Sequence, residues 1–452
     1  MPRRHGPPAT AATAGHVLRL IRTGEAATRA EIARVTRLSR PSVASRVAEL
    51  MDLGLVTEGH HGPSRGGRPP GRLEFNAAGG VVLSAALGIS RSQAAVCDLA
   101  GRVLARTEGS PEVVQGPDTA LPWLLGTWER LLQECGRAPH EARGVGIGLP
   151  GTVRFALGRA EEPPVLPGWG GVDIAPLVAE RFPVPVLLDN DVNVMALGAH
   201  TADYPGADDL VFVKVSTGVG AGIISGGALV RGTLGAAGEI GHIPVPDGGG
   251  TSCRCGNTDC LEAVAGGPAL LERFHRAGRE AAGVQGLAAL ASDGDADAVA
   301  LVREAGRRVG EVLAGAVNLL NPEVIVLGGH LGTAFDPLAA GVREAVFRRA
   351  TALATRQLRI VPNRSGGAAG LRGGAAMVLD HVLAPEEVNA AIAEREAAAA
   401  QDGPEAGPAS AESGPIGEHG GSGAASLPPL TAPPPPEDPP CRCPGTSPCP
   451  PP

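Results

Sequence analysis

The stretch AGEIGHIPVPDGGGTSCRCGNTDCLE, residues 237–262, carries cysteines at 253, 255 and 260 and a histidine at 242. One imidazole and three thiolates make a complete tetrahedral set of the kind that holds structural zinc, with no coordination position left open for a reactive water. Gly256 permits a tight loop between the ligands. The surrounding Gly, Asn and Asp are loop formers, so the cysteines do not read as core packing. The expected metal set is therefore His242, Cys253, Cys255 and Cys260. Zinc there would shape the loop that presents Glu239, His242 and Glu262.

Outward from this loop, residues 81–384 alternate short Val/Ile/Leu runs, bounded by Gly and Pro, with longer amphipathic stretches. That alternation argues an α/β domain. The clearest strands are 81–87, 144–148, 184–188, 210–215 and 324–327, and 298–320 reads as a long helix. Beyond residue 384 the character changes. Residues 386–400 can form a helix, but 401–452 hold 16 Pro among many Gly, Ser and Ala. Such a composition buries too little apolar surface to offset the entropy of ordering. Its cysteines, Cys441, Cys443 and Cys449, lack a fourth ligand at metal spacing.

The 452 residues suffice for two or three domains. A single lysine, Lys214, stands against 38 arginines, a bias of the kind GC-rich coding produces. Net charge is −8, but residues 1–75 hold 12 Arg and 6 acidic residues, a balance of +6 that leaves −14 for the rest. A basic first segment on an acidic body suits a chain in which only that segment meets a polyanion. No apolar run approaches the roughly 20 residues needed to span a bilayer, so a cytoplasmic protein without membrane contact is expected.

That basic segment has the pattern of a winged helix-turn-helix. Val17, Leu20 and Ile21 repeat at helical spacing and Gly24 stops the helix. Thr28 with Glu31 three residues on forms a capping box, after which Ile32 and Val35 are expected to face the core. Ser39 caps a third helix, Pro41 sits in its first turn, and Val43, Val47 and Leu50 line one face. Arg40, Ser42, Ser45 and Arg46 line the other, with groups suited to base edges and phosphates. A strand begins at Leu55-Val56, residues 62–70 (GPSRGGRPP) make a basic wing bearing Arg65 and Arg68, and 73–75 returns as a second strand. Thr28, Ser39, Arg40, Ser42, Ser45, Arg46, Arg65 and Arg68 are the candidate DNA contacts. The turn between helices two and three holds Arg37, where a positive φ would cost about 1 kcal/mol relative to Gly. A small helical oligomerisation module is the alternative, and the basic wing argues against it.

The GEIGH, CRCG and CLE pieces of 237–262 resemble the signature of the ROK family, named for repressors, open reading frames and sugar kinases. The resemblance spans nearly all of 28–384 and includes the GGRP wing of the repressor branch. It implies an actin-like ATPase (ribonuclease H-like) fold of two α/β lobes around a cleft, and a homodimer or homotetramer. It also implies that Asn190, Asp191, Glu239, His242 and Glu262 bind sugar hydroxyls, Asp191 being the base in the kinases. Residues 189–193 (DNDVN) follow the strand 184–188, at the strand end where α/β ligands collect, although an Asp/Asn-rich helix cap would look the same. The kinases' first phosphate hairpin, Asp-x-Gly-Gly-Thr, is matched here by Ala86-Leu87-Gly88-Ile89-Ser90. Ala86 removes the Mg²⁺ anchor and Ile89 a phosphate-admitting glycine, so turnover is not expected. The loop 216–220 and the Gly328-Gly329 turn keep their glycines, which strand-end geometry alone can require.

The chain thus divides into a disordered lead-in (1–12), a winged helix-turn-helix (13–76), a sugar-kinase-like sensor (77–384) and a mostly disordered tail (385–452). Its expected role is a sugar-responsive transcriptional repressor, with a double-stranded operator and a small sugar or sugar phosphate as partners, structural zinc, and neither ATP nor Mg²⁺. The rival is an ATP-dependent, glucokinase-like sugar kinase with an appended DNA-binding domain.

Overall fold

The structure is a computed structural model that describes residues 12–59, 71–89, 91–109, 113–161 and 166–401. The lead-in 1–11, the wing 60–70 with Arg65 and Arg68, Ser90, and the tail with Cys441, Cys443 and Cys449 lie outside the described residues.

Helices α1 (Ala14–Arg22), α2 (Arg29–Thr36) and α3 (Arg40–Asp52) are followed by the paired antiparallel strands β1 (Val56–Glu58) and β2 (Leu73–Phe75). Local chemistry sets each boundary. Thr28 Oγ1 accepts from Glu31 N at 3.2 Å while Glu31 Oε2 accepts from Thr28 N at 3.0 Å, the reciprocal box that starts α2. Ser39 Oγ accepts from Ser42 N at 3.2 Å and starts α3. Between them Arg37 adopts φ 61°, ψ 19°, so the turn does take the left-handed conformation whose cost was weighed above. Ile32, Val43, Val47 and Leu50 are buried, but Val35 is 43% exposed and does not join the core. Helix α2 ends one residue later, so its last turn projects past the apolar contact made by Ile32.

The body consists of two five-stranded sheets of identical topology. In the first, β3 (Val81–Ala86), β4 (Ser92–Asp98) and β5 (Val103–Gly109) form an antiparallel meander. Helix α4 (Pro117–Glu134) covers it, and β6 (Ala142–Leu149) then pairs parallel to β3. A small ribbon, β7 (Val153–Arg154) and β8 (Arg159–Ala160), and α5 (Ile174–Ala179) lead to β9 (Val186–Asn190), parallel to β6. Helix α6 (Asp191–Ala202) crosses to the second sheet, where β10 (Leu210–Val215), β11 (Val219–Ser225) and β12 (Ala228–Val230) repeat the meander. The zinc-type loop and α7 (Leu261–Ala265), α8 (Gly267–Arg276), α9 (Gly283–Ser292) and α10 (Ala296–Leu320) follow. Strand β13 (Val324–Gly328) lies parallel to β10; α11 (Phe335–Arg349), α12 (Ala352–Thr355) and β14 (Arg359–Pro362) complete the lobe. The strand orders are β5-β4-β3-β6-β9 and β12-β11-β10-β13-β14. The Val/Ile/Leu run of β13 is buried throughout, as a parallel strand covered on both faces requires.

Helix α13 (Ala369–Val382) packs on α6 so closely that glycine is obligatory: a Cβ at Gly373 would lie 1.7 Å from the Val194 carbonyl oxygen. The same helix sends Leu371, Ala375, Val378 and Leu379 into one apolar core with Val17, Leu18, Ile21 and Leu50 of the winged helix. The final helix, α14 (Pro385–Gln401), lies against α1: Asn389 Oδ1 accepts from Gly15 N at 3.0 Å and Val388 is buried in the shared core. Arg395 also donates to the Asp52 carbonyl at 2.5 Å. Residues 385–401 therefore clasp the N-terminal helices, where composition suggests the beginning of a tail.

Candidate functional site: a metal loop beside a polar cleft

The metal-type residues come together. One potential ligand atom from each of His242, Cys253, Cys255 and Cys260 lies within 4.8 Å of every other. Cys253 Sγ is 3.6 Å from His242 Nδ1, and Cys255 Sγ is 3.6 Å from Cys260 Sγ. A tetrahedral ion with Zn–S near 2.3 Å and Zn–N near 2.0 Å needs ligand–ligand separations of about 3.5–3.8 Å, which these two pairs match, and the chemistry of the donor set suits zinc. The loop is closed by Cys253 N donating to the Asn257 carbonyl and Gly256 N to that of Cys253. Hydrogen bonding from the Asn257 backbone brings the Cys255 thiol down to about 7, towards the thiolate a metal requires. With Nδ1 turned to the sulfurs, His242 Nε2 faces the other way, 3.9 Å from Glu239 Oε2. One imidazole can thus serve the metal with one nitrogen and the neighbouring cleft with the other.

That cleft, of about 810 Å³, lies between the lobes and is lined by Asn190, Asp191, Glu239, His242 and Glu262. All five anticipated side chains converge there. Their present partners differ. Asn190 caps α6, its Oδ1 accepting from Val192 N and Asn193 N at 2.8 and 3.2 Å, while its Nδ2 donates to the Gly151 carbonyl at 2.8 Å. Cap and cleft residue are therefore one residue, with a single amide proton left for a ligand. Asp189 beneath it is buried and fixed by Arg231 and Asn193 at 2.6 and 2.8 Å. Glu239 accepts from Thr152 Oγ1 at 3.1 Å. Glu262 accepts from Val219 N and from Arg254, both at 3.0 Å. Asp191 pairs with Lys214 Nζ on β10 at 2.5 Å. Nothing in the local sequence marks Thr152 or Arg254. Lys214 does carry a signal, as the one lysine of the chain.

Ala86 ends β3 at the cleft wall, with Gly88, Ile89 and the loop 216–220 nearby among the lining residues. The described carboxylates of the lining are Glu161, Asp191, Glu239 and Glu262, and Glu161 is held by Arg154 at 2.7 Å. The glycines at 328 and 329 are needed by the fold itself. A Cβ at Gly328 would meet the Phe212 ring at 2.4 Å, and Gly329 has φ +82° against the Val215 carbonyl.

On the winged helix, Arg40, Ser42, Ser45 and Arg46 lie exposed on α3. Glu49 binds Ser45 Oγ at 2.9 Å and Arg46 at 3.0 Å, so two of the candidate DNA contacts share a carboxylate. Thr28 and Ser39 spend a lone pair each on helix capping. Arg40 has no ion-pair partner among the described residues. None of the described helices is long and apolar enough to cross a membrane.

Comparison with known proteins agrees with this architecture. Residues 82–381 match the ROK family and residues 10–65 the MarR family. The chain is 27% identical over 383 residues to the xylose repressor of Caldicellulosiruptor bescii, covering 81% of this chain and 95% of that protein. Among solved structures, a ROK family transcriptional regulator homologous to the Escherichia coli MLC protein is similar at 27% identity and TM-score 0.72, over 84% of this chain and 98% of that one. The ROK hexokinase of Thermus thermophilus reaches 31% identity and TM-score 0.55, over 67% and 99%. The kinase thus matches a smaller share of this chain than the regulator does. The chain belongs to the ROK family.

Proposed function

We propose that this protein is a sugar-responsive, operator-binding transcriptional repressor whose kinase-like body senses and does not phosphorylate. The supporting observation is that one cleft gathers Asn190, Asp191, Glu239, His242 and Glu262 while Ala86 stands where a kinase needs a metal-binding carboxylate. Positioning and metal electrostatics supply most of phosphoryl-transfer catalysis, so this cleft retains ligand groups without the means of turnover. Neither ATP nor Mg²⁺ takes part. Zinc, held by His242, Cys253, Cys255 and Cys260, is structural: it fixes the loop and aims Nε2 of His242 and the Glu239 carboxylate at the sugar.

The response reaches DNA through packed helices. Helix α6 begins at the sugar residues, interlocks with α13, and α13 shares its core with α1 and α3. Closure of the cleft on a sugar would shift this stack and so the placement of Arg40, Ser42, Ser45 and Arg46, together with the wing residues Arg65 and Arg68. Such a switch requires different sugar affinity in the two states. A homodimer or homotetramer in the cytoplasm would present paired winged helices to two half-sites of a double-stranded operator.

The kinase reading draws on the retained loop 216–220 and on the likeness to the hexokinase. A coupled ADP-release assay with Mg·ATP and glucose, xylose and N-acetylglucosamine separates the two. No turnover is expected; turnover abolished by Asp191→Asn would overturn the proposal.

A further inference from the structure

Beneath the cleft one side chain joins the two lobes. Arg231 follows β12, the edge strand of the second sheet, and reaches β9, the edge strand of the first. Its Nε donates to Asp189 Oδ2 at 2.6 Å, and its guanidinium carbon lies 3.8 Å from the centroid of the Phe155 ring. Asp189 is 1% exposed and its other oxygen is also engaged, Oδ1 accepting from Asn190 N at 2.7 Å and from Asn193 Nδ2 at 2.8 Å. A buried carboxylate needs a partner of opposite charge, and Arg231 supplies it. Phe155 packs in turn on the apolar cluster that holds Val192 of α6 and Phe212 of β10. The cleft lining includes Asn190, Asp191 and Glu239 but not Arg231.

Arg231 also opens the segment 231–239, which delivers Glu239 to the cleft. That segment rests on the first lobe at two further points. A Cβ at Gly235 would lie 2.1 Å from the Val153 carbonyl oxygen, and Thr152 Oγ1 donates to Glu239 Oε1 at 3.1 Å. Its turn is closed by Ala237 N donating to the Arg231 carbonyl at 3.1 Å, and Ala221 N on β11 donates to the Gly238 carbonyl at 2.8 Å. The segment is thus continuous with the second lobe and docked on the first. Resting on the reading of this cleft as a sugar site, we propose that Arg231 is a positioning residue that clamps segment 231–239 to the start of α6. Through Asp189 it fixes the turn from which Asn190 and Asp191 project, and through the segment it fixes Glu239 opposite them. It acts without touching the ligand. A lysine could neutralise Asp189, but a planar guanidinium can stack on Phe155 and bond the carboxylate edge-on at once.

The test compares the full chain with Arg231→Met, Arg231→Lys and the double variant Arg231→Met/Asp189→Asn. Urea denaturation, calorimetric titration with glucose, xylose and N-acetylglucosamine, and hydrogen exchange of the unliganded chain are the readouts. Arg231→Met strands a buried charge, so its urea midpoint should fall, and the double variant should recover most of that loss. Affinity should behave differently. The sugar that the parent chain binds should bind about 10–100-fold more weakly to both variants, the range for removal of an outer-shell partner. Arg231→Lys should regain part of the affinity. Without ligand, residues 231–239 of the double variant should exchange at least about tenfold faster than in the parent, with α10 unchanged. Should Arg231→Met fail to fold, the double variant carries the same comparison. A double variant that recovers affinity together with stability, or whose residues 231–239 exchange as in the parent, overturns the clamp, because Arg231 then serves only to neutralise Asp189. A parent chain that binds none of the sugars overturns the sugar reading instead, and the exchange measurement, which needs no ligand, still decides the clamp.

Discussion

Replacing Gly373 by alanine tests the contact through which the cleft reaches the DNA-binding helices. The added Cβ would lie 1.7 Å from the carbonyl oxygen of Val194, 2.6 Å from its carbonyl carbon and 2.8 Å from Gly198 N, all backbone atoms of α6 that cannot rotate away. A carbon–oxygen contact needs roughly 3.3 Å, so α6 and α13 must part by roughly 1.5 Å. Overpacking of this kind costs about 3 kcal/mol. With a urea m-value of about 3 kcal/mol/M, the unfolding midpoint should fall by about 1 M. Gly315→Ala in α10 and Gly126→Ala in α4 are the controls, since a Cβ at either meets nothing within 4 Å. There the same chemical change should stabilise by about 0.5–1 kcal/mol through helix propensity. Equilibrium urea denaturation of the three variants, followed by far-UV circular dichroism, gives opposite signs if the helices interlock as described. A Gly373→Ala midpoint equal to those of the controls would refute the tight crossing and, with it, the proposed mechanical route from α6 to α1.

Arg37→Gly should raise stability by about 1 kcal/mol, because φ 61° costs an L-residue what glycine does not pay; the urea midpoint measures it. Cys253→Ser should lower bound zinc from one equivalent towards none by elemental analysis, and make residues 243–260 newly susceptible to limited proteolysis. Burial, with Arg91 and Lys214 nearby, lowers the pKa of His330, whose hydrogen-bond partners are Ser216 and Gln285.

Local signals were the legible ones. The Thr28/Glu31 capping box, the Ser39 cap and the strained Arg37 turn are written in three or four consecutive residues, and each is present in the structure. The metal set is likewise compact in sequence, and its four side chains meet. Contacts across long separations were not legible. The bond from Gly15 N to Asn389, 374 positions away, makes α14 part of the winged-helix core, and composition alone points to a tail there. Val35 shows the limit of periodicity, which assigns a face to a helix without showing where its neighbour stops. Asn190 shows that one residue can cap a helix and also line the cleft. The pairing of Lys214 with Asp191 depends on how the two lobes come together, and no spacing along the chain encodes that.

The most direct measurement is binding of the full chain to DNA from its own promoter region, at moderate salt, with and without the sugars and their phosphate esters. Tight binding to one fragment is expected, weakened at least about tenfold by a single ligand of the panel. Failure to bind any fragment, or binding that every sugar and ester leaves unchanged, would contradict a sugar-responsive repressor.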